Sequence, residues 1–247
     1  MIRDRINGAL QRRRVARELA ALSAPDRRII ERALPHTLTS VQRLQAVIDA
    51  TRHVVANELP GAFAECGVWR GGSVLAMILT LQELGRDDRD VHLYDTFEGM
   101  TAPTERDVSS FDPPALETWR AAEQQGGRAW SEFLGRFDEQ SVRSTLLATG
   151  YPAERLVLVR GPVEETLPEQ APERLALLRL DTDWYESTRH ELEHLYPRLE
   201  PGGILIIDDY GHWEGARRAV DEYFAQHPPA PLLHRTDYTG RVAVKPG

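Results

Sequence analysis

The stretch AFAECGVWRGGS, residues 62–73, decides the fold. Its first part, residues 62–68, is a short apolar run that predicts a buried strand, and a helical apolar spacing follows the glycines over residues 74–84. Glycines between a strand and a helix let the backbone come close to a ligand, because glycine lacks a Cβ atom. The stretch therefore predicts the opening half of a βαβ unit, with a candidate binding edge at its turn.

The same alternation of strand and helix continues toward the C-terminus. Further apolar or β-rich runs predict strands at residues 91–94, 156–159, 175–180 and 204–207, and helical patterns lie between them at residues 141–149 and 187–199. This order predicts an α/β fold with a mostly parallel sheet and right-handed crossovers. Two final runs, residues 232–234 and 242–244, are joined through Asp237-Tyr238-Thr239-Gly240 and predict a terminal antiparallel hairpin.

Two further segments flank the predicted sheet. Residues 1–60 predict N-terminal helices, with an N-cap signal at Thr39-Ser40 before the second apolar-periodic segment. Residues 101–140 are too long for an ordinary connection between a strand and a helix. Their aromatic residues favour a lid over a disordered linker: Trp119, Trp130, Phe133 and Phe137. We interpret residues 1–247 as a single domain.

The composition excludes several classes of function. The formal net charge of −8 argues against a nucleic-acid-binding face. The sequence has no apolar run near the ~20 residues that span a bilayer and no secretory signal pattern, so we expect a cytoplasmic protein without a membrane partner. The single cysteine, Cys66, excludes a disulfide within the chain and is interpreted as a packing residue. Only Lys245 among the 30 basic residues is a lysine, which excludes a lysine base earlier in the chain.

Ligands of open α/β sheets bind beyond the carboxyl ends of the strands, so the residues just after each strand are the first candidates for function. The turn at residues 65–73 is either a cradle for a nucleotide-like cofactor or a plain tight turn, and its spacing is not G-x-G-x-x-G. After the second strand come Asp95, Thr96 and Phe97. The Asp95 carboxylate can accept hydrogen bonds from ribose hydroxyls, and an aromatic ring can cover an adenine. Asp95 alone could be a helix cap, but the glycine turn favours the ribose interpretation.

Two pairs of aspartates follow the fourth and fifth strands: Asp181 with Asp183, and Asp208 with Asp209. At neighbouring strand tips these carboxylates would repel one another unless protons or a cation neutralise them. Oxygen ligands without cysteine or histidine suit Mg²⁺. The alternative is that they are solvated strand-end carboxylates or helix caps.

Four motifs together resemble the macrocin O-methyltransferase (TylF-like) family, whose members methylate sugar hydroxyls in antibiotic biosynthesis. The motifs are ECGVWRGGS at 65–73, DTFEGM at 95–100, LDTDWYEST at 180–188 and DDYG at 208–211. The resemblance runs from about residue 37 to residue 223, and the motifs in this order are specific where each alone is not. It implies a class I Rossmann-like methyltransferase with a seven-stranded sheet, S-adenosylmethionine and Mg²⁺ as cofactors, and a glycoside or nucleotide sugar as the acceptor. We also expect a homo-oligomer.

The resemblance implies a role for each matching residue. The implied cofactor contacts are Thr39, Ser40, Glu65, Gly67, Ser73, Asp95, Thr96, Phe97 and Asp181. The implied metal ligands are Asp181, Asp208 and Asp209. Asp183 would be the general base, a position at which the related catechol O-methyltransferases use a lysine. His212 is a weaker candidate for the base.

Other classes of protein stay open at this point. Asp181-x-Asp183 also resembles the nucleophile and acid of haloacid dehalogenase-type phosphatases, and the metal motif of nucleotide-sugar glycosyltransferases. Such a phosphatase needs a lysine downstream, which Lys245 fits poorly, and a glycosyltransferase leaves the glycine turn unexplained. A binding module without catalysis is the remaining alternative.

Overall fold

A seven-stranded sheet lies at the centre of the molecule. The computed structural model describes residues 13–131 and 137–247. The strands are β1 (Ala62–Cys66), β2 (Val91–Asp95), β3 (Leu156–Arg160), β4 (Leu175–Leu180), β5 (Leu199–Ile207), β6 (His234–Arg235) and β7 (Arg241–Val244). Their order is β3-β2-β1-β4-β5-β7-β6, and the first five are parallel while β7 runs antiparallel to β5 and β6. The predicted mostly parallel sheet with an antiparallel C-terminal hairpin is confirmed.

Helices connect the strands and precede them. They are α1 (Ala24–Ala33), α2 (Val41–Ala56), α3 (Gly72–Glu83), α4 (Ala115–Gln124), α5 (Glu139–Leu147), α6 (Val163–Thr166), α7 (Tyr185–His194) and α8 (Glu214–Gln226). Residues 13–20 are also helical, and short 3₁₀ turns cover Leu34–His36, Ala153–Arg155 and Tyr196–Arg198. Ser40 caps α2 as predicted, since its hydroxyl accepts the Arg43 N–H at 3.1 Å. The first part of the predicted N-terminal helices, residues 1–12, lies outside the described residues, as does Phe133.

The core has two layers because alternate residues of each strand point to opposite faces of the sheet. In β1, Phe63 packs with the helices α1 to α3 on one face, while Ala62 and Ala64 face the cluster that includes α7 and α8. All six residues of β4 are buried, as expected for a central strand covered on both faces. Within the described residues, no helix is both long and apolar enough to cross a membrane.

The register of the central strands decides where the candidate residues lie. Leu180, the last residue of β4, pairs with Cys66 of β1 on one side and with Ile207 of β5 on the other. The segments that follow these residues therefore leave the sheet side by side. This brings the glycine turn and both aspartate pairs to one edge.

The insertion between β2 and α5 is anchored at its beginning. Asp107 is completely buried and accepts the backbone N–H of Thr104 and of Tyr185, both at 2.7 Å. Tyr185 is the first residue of α7, so the insertion caps the helix that follows the Asp181–Asp183 segment. The Glu214 N–H donates to the Val108 carbonyl at 2.9 Å and ties the insertion to α8 as well.

Candidate active site

A cavity of about 480 Å³ opens beyond the carboxyl ends of β1, β2, β4 and β5. Most of the residues predicted from the sequence line it: Thr39, Glu65, Gly67, Ser73, Asp95, Thr96, Asp181, Asp183, Asp208 and Asp209. The structure thus brings together residues that are up to 170 positions apart along the chain.

Ser40 and Phe97 are predicted cofactor contacts that do not line this cavity. The Ser40 hydroxyl donates to Oδ2 of Asp237 at 2.7 Å, in addition to capping α2. The Phe97 side chain is 2% exposed and packs in the core. Both residues support the walls of the cavity, Ser40 through its hydrogen bonds to Asp237 and to α2, and Phe97 because its ring fills the core.

The glycine turn after β1 is held by the Asp95 carboxylate. Oδ2 accepts the backbone N–H of Val68 at 2.7 Å and of Trp69 at 2.8 Å, and Oδ1 accepts the Phe97 N–H at 2.7 Å. Burial raises the pKa of Asp95, and these three hydrogen bonds oppose that rise. Gly67 has a φ of +81°, and a Cβ atom there would lie 1.9 Å from the Asp181 carbonyl oxygen. Only glycine therefore fits where the tips of β1 and β4 touch.

A buried arginine stands among the predicted acidic residues. Arg179 in β4 is 1% exposed, and its Nη1 donates to Glu65 at 2.9 Å and to Asp181 at 2.7 Å. Its Nη2 donates to Oδ1 of Asp208 at 2.6 Å. Glu65 and Arg179 are directly paired across β1 and β4. The sequence analysis missed Arg179, although it is the one charged residue within the apolar run LALLRL.

A second arginine reaches the same place from α2. Arg43 contacts Oδ2 of Asp208, and its Nε donates to Asp237 at 3.1 Å. Both oxygens of Asp208 are therefore paired with arginines. This corrects the expectation that protons or a bound metal alone relieve the repulsion, because two guanidinium groups already contribute. Arg43 carried no motif signal, since it lies on a helix more than 160 residues away from Asp208.

A surplus of negative charge nevertheless remains. The two arginines face six carboxylates: Glu65, Asp181, Asp183, Asp208, Asp209 and Asp237. Ligand oxygens of Asp181, Asp208 and Asp209 all lie within 4.8 Å of one another. Oδ2 of Asp209 is buried without a hydrogen-bond partner among the described residues. Burial and the neighbouring Asp183 raise the pKa of Asp209 well above its usual range. This oxygen-only donor set fits a hard divalent cation, with Asp209 supplying the free coordination capacity.

The backbone conformation of Asp183 and one hydrogen bond together orient its side chain. Its φ is +68°, a conformation that aspartate and asparagine tolerate better than most residues. The indole N–H of Trp213 donates to its Oδ1 at 2.9 Å. Burial, helped by the charge of Asp181, raises the pKa of Asp183 to about 7. A carboxyl group with a pKa near neutrality is suited to accept a proton from a hydroxyl.

One tryptophan of the insertion, Trp130, joins Trp184 and Trp213 in an aromatic cluster beside the acidic side of the cavity. Trp130 packs on Trp184 with ring centroids 5.6 Å apart, and Trp184 packs on Trp213 at 5.0 Å. His212 is held between Asp112 of the insertion, at 2.7 Å, and the Tyr238 hydroxyl, at 2.9 Å. Since both ring nitrogens of His212 already have partners, the geometry favours Asp183 over His212 as the base.

Comparison with known proteins gives results consistent with this geometry. The model of the family described as macrocin O-methyltransferase (TylF) matches residues 10–243. The chain is 34% identical over 218 residues to 8-demethyl-8-(2,3-dimethoxy-alpha-L-rhamnosyl)-tetracenomycin-C 4'-O-methyltransferase of Streptomyces olivaceus, covering 87% of this chain and 78% of the relative. It is 31% identical to demethyldecarbamoylnovobiocin O-methyltransferase of Streptomyces niveus, covering 83% of this chain and 74% of the relative.

A solved structure gives the same result. The structure of the O-methyltransferase NovP superposes with a TM-score of 0.72 at 31% sequence identity. The match covers 86% of this chain and 83% of NovP. The similarity therefore extends over nearly the whole fold described above.

Proposed function

The chain belongs to the macrocin O-methyltransferase family, and from that premise we propose that it methylates a sugar hydroxyl of a glycosylated natural product in antibiotic biosynthesis. It is an S-adenosylmethionine-dependent O-methyltransferase. Family membership gives no support to the phosphatase, glycosyltransferase and binding-module alternatives. The observation that carries the proposal is the convergence of Asp181, Asp208 and Asp209 next to Asp183 in one cavity.

The cofactor is proposed to lie along the β1 and β2 side of this cavity. Gly67 and Ser73 of the turn line this side of the cavity, and Asp95 fixes the turn. Oε2 of Glu65 is buried without a partner among the described residues, so it can accept a hydrogen bond from the α-ammonium group of S-adenosylmethionine. This arrangement would direct the sulfonium methyl group toward the tips of β4 and β5.

Asp183 is proposed to act as the general base. Methyl transfer is an in-line displacement in which the sugar oxygen attacks the methyl carbon, the sulfur leaves with its electron pair, and the hydroxyl proton must be removed. Asp183 takes that proton onto its carboxylate, while Trp213 holds Oδ1 in position. Trp130 and Trp213 line this side of the cavity, and an apolar wall there would limit the access of water to the reacting groups.

We propose that Asp181, Asp208 and Asp209 hold Mg²⁺. When bound, the cation would make a sugar hydroxyl more acidic and orient it. The residues fit this role because their oxygens converge and one oxygen of Asp209 has no other partner. Arg179 keeps Asp181 and Asp208 in place from below, so the ligands are positioned before any cation arrives.

The acceptor is proposed to be a finished glycoside in preference to a nucleotide sugar. Among the described residues that line the cavity, Arg43 is the only arginine or lysine, and it is already paired with Asp208 and Asp237. A diphosphate would therefore meet mostly carboxylates. At the rim lie two large side chains that are about half exposed, Leu38 at 49% and Tyr238 at 47%. They offer an apolar contact for the aglycone of a glycoside.

We also propose a cytoplasmic location, where S-adenosylmethionine is made, and a homo-oligomeric state. Light scattering coupled to size-exclusion chromatography tests the second point. A monomer at micromolar concentration would contradict it.

The reaction itself is tested with labelled S-adenosylmethionine and a panel of deoxysugar glycosides and nucleotide sugars, with Mg²⁺ or with EDTA. We expect mass spectrometry to find one added methyl group on a glycoside, and transfer to stop when EDTA removes the metal. Methylation of nucleotide sugars alone would contradict the proposed acceptor. Equal rates in Mg²⁺ and EDTA would contradict the proposed metal.

A further inference from the structure

The last turn of α7 carries a second cluster of possible metal ligands on its outer surface. The rings of His190 and His194 lie 4.3 Å apart between centroids. One ligand atom from each of His190, Glu193 and His194 lies within 4.8 Å of the other two. None of the three residues lines the cavity described above.

The sequence of this turn is His190-Glu191-Leu192-Glu193-His194, which matches the zinc-binding pattern H-E-x-x-H. In zinc hydrolases the glutamate of that pattern is a general base next to the metal. Here Glu191 points the other way, because it is completely buried and accepts the Thr182 hydroxyl at 2.8 Å. The two histidines therefore share a face with Glu193, and the residue that would make the site hydrolytic faces the core.

The hydrogen bonding of His190 favours metal binding. Its Nε2 lies 3.2 Å from the Leu167 carbonyl oxygen. A carbonyl only accepts hydrogen bonds, so Nε2 carries a proton and Nδ1 is the ring nitrogen left to bind a metal. Histidines that bind metals usually donate their other ring N–H to a carbonyl or carboxylate in this way.

We propose that His190, His194 and Glu193 form a surface site for Zn²⁺ or a similar transition-metal ion, separate from the carboxylate site in the cavity. Imidazole nitrogens prefer such ions, whereas the all-oxygen site prefers Mg²⁺. The proposed ion takes Nδ1 of His190, a ring nitrogen of His194 and one carboxylate oxygen, and water completes the tetrahedron.

Side-chain rotation must bring the three ligand atoms closer together to bind an ion. Ligand atoms of a tetrahedral zinc site lie about 3.3 Å apart, whereas the ligand atoms of these three residues lie within 4.8 Å of one another. Glu193 pairs with Arg189 at 2.7 Å, but both side chains are about two-fifths exposed. An exposed i,i+4 ion pair is weak and is easily exchanged for a metal bond. The ion would link the three side chains of the last turn of α7, and the hydrogen bond from His190 would connect this turn to the Leu167 carbonyl.

The test uses the full chain without a histidine tag, stripped of metal, and titrated calorimetrically with Zn²⁺. Four variants are compared with the unmodified chain: the double variant His190→Gln/His194→Gln, the single variant His194→Gln, Asp209→Asn in the cavity, and His234→Gln as an exposed histidine elsewhere. We expect the double variant to bind Zn²⁺ at least tenfold more weakly. Asp209→Asn and His234→Gln should retain the tight phase, and Zn²⁺ should raise the unfolding temperature of these two but not of the double variant.

Equal Zn²⁺ isotherms for the unmodified chain and the histidine variants would overturn the proposal. Loss of the tight phase in Asp209→Asn alone would also overturn it, because the zinc would then bind in the cavity. The single variant gives the same information if the double variant fails to fold. Co²⁺ supplies an independent readout, since nitrogen coordination in a tetrahedral site gives strong visible absorption that the histidine variants should lack.

Discussion

The two halves of the cavity are built on opposite principles. On the β1 and β2 side, the Asp95 carboxylate is satisfied by three backbone N–H groups, and the chain completes this half by itself. On the β4 and β5 side, the acidic half, four aspartates share two arginines with Glu65 of β1 and Asp237 of the hairpin, and buried oxygens of Glu65 and Asp209 have no partner within the described part of the chain. The first half is a finished backbone cradle, whereas the second holds excess charge that a ligand can neutralise.

The largest effect is expected when the buried guanidinium group of Arg179 is removed from the acidic half. Arg179→Met leaves Glu65, Asp181 and Asp208 without their shared buried partner. Loss of one partner of a buried charge network costs about 3–5 kcal/mol, so we expect the free energy of unfolding at neutral pH to fall by that amount. Denaturant unfolding of the metal-free chain measures it, and Mg²⁺ should restore part of the loss.

The matched control is Arg174→Met just before β4. Arg174 is 53% exposed and pairs with Glu200 at 2.5 Å. Exposed pairs contribute about 0–1 kcal/mol, so this variant should be nearly as stable as the unmodified chain. Equal losses for the two variants would show that the acidic half does not depend on its buried arginine.

The next effect concerns the chemistry of the acidic half. Asp183→Asn keeps the oxygen that accepts the Trp213 N–H and a side chain that tolerates the φ of +68°. It removes the proton acceptor, so turnover should fall roughly 10²-fold or more while S-adenosylmethionine binding stays nearly unchanged. Single-turnover rates and calorimetric binding separate the two quantities.

His212 provides the competing base. Its two nitrogens are engaged by Asp112 and Tyr238, so His212→Gln should disturb this part of the insertion and reduce turnover much less than Asp183→Asn. If His212→Gln instead costs more turnover than Asp183→Asn, the assignment of the base is wrong.

The same contrast explains what the sequence could and could not predict about the fold. Strand β4 has the predicted bounds because a run of apolar residues between polar ones fixes a central strand. Strand β5 begins at Leu199, five residues before its predicted start, because Glu200, Pro201 and the two glycines that follow interrupt the apolar pattern of the strand. Helix α7 ends at His194 instead of residue 199, because Pro197 lies in a 3₁₀ turn.

The site shows the same division. Aspartates at strand ends could be placed from sequence, since parallel strands end at one edge of the sheet. Arg43 and Asp237 could not, because an ion pair between residues 194 positions apart in a helix and a hairpin leaves no local pattern. Phe97 was expected at an adenine face from its neighbours in the motif, but the side-chain direction after a strand depends on the turn, and its ring is buried in the core. The positions of the strand-end aspartates followed from the topology of the sheet. Their ion-pair partners could be identified only from the packed structure.

A smaller effect is expected in the cofactor half. Asp95→Asn is nearly isosteric, but an amide has one acceptor atom for the N–H groups of Val68, Trp69 and Phe97, which now use both oxygens. Hydrogen bonds to a charged group contribute about 1.5–3 kcal/mol, so the affinity for S-adenosylmethionine should weaken about 10- to 150-fold. Turnover at saturating cofactor should change little, which distinguishes this half from the acidic one.

Asp90→Asn is the control for that variant. Asp90 immediately precedes β2, is 47% exposed and pairs with Arg155. Its substitution should leave cofactor affinity within about twofold, since exposed pairs contribute little. An equal loss in both variants would mean that the charge of this region, and not the cradle around Asp95, determines binding.

The last comparison is a pH dependence of stability, modest for each pH unit, located where the two halves meet. Burial, with the charges of Asp181 and Asp95, raises the pKa of Glu65 to about 8 from its ordinary 4.5, although Arg179 opposes the rise. Between these values the folded chain holds a proton that the unfolded chain has lost, so stability falls as pH rises from about 4.5 toward 8. A single group contributes a slope of at most about 1.4 kcal/mol per pH unit.

Glu65→Gln should remove this share of the slope, whereas Glu154→Gln, an exposed carboxyl before β3, should retain it. Urea unfolding of the metal-free chains at several pH values between 5 and about 8 makes the comparison. Saturating S-adenosylmethionine should flatten the slope of the unmodified chain as well, because its ammonium group would give Glu65 a second cation and allow the carboxylate to ionise. One result would separate the two roles of Glu65: the slope of the unmodified chain persists with cofactor bound, while Glu65→Gln abolishes it without cofactor. Glu65 would then titrate as expected without contacting the ammonium group of the cofactor. The cofactor site would in that case not include Glu65.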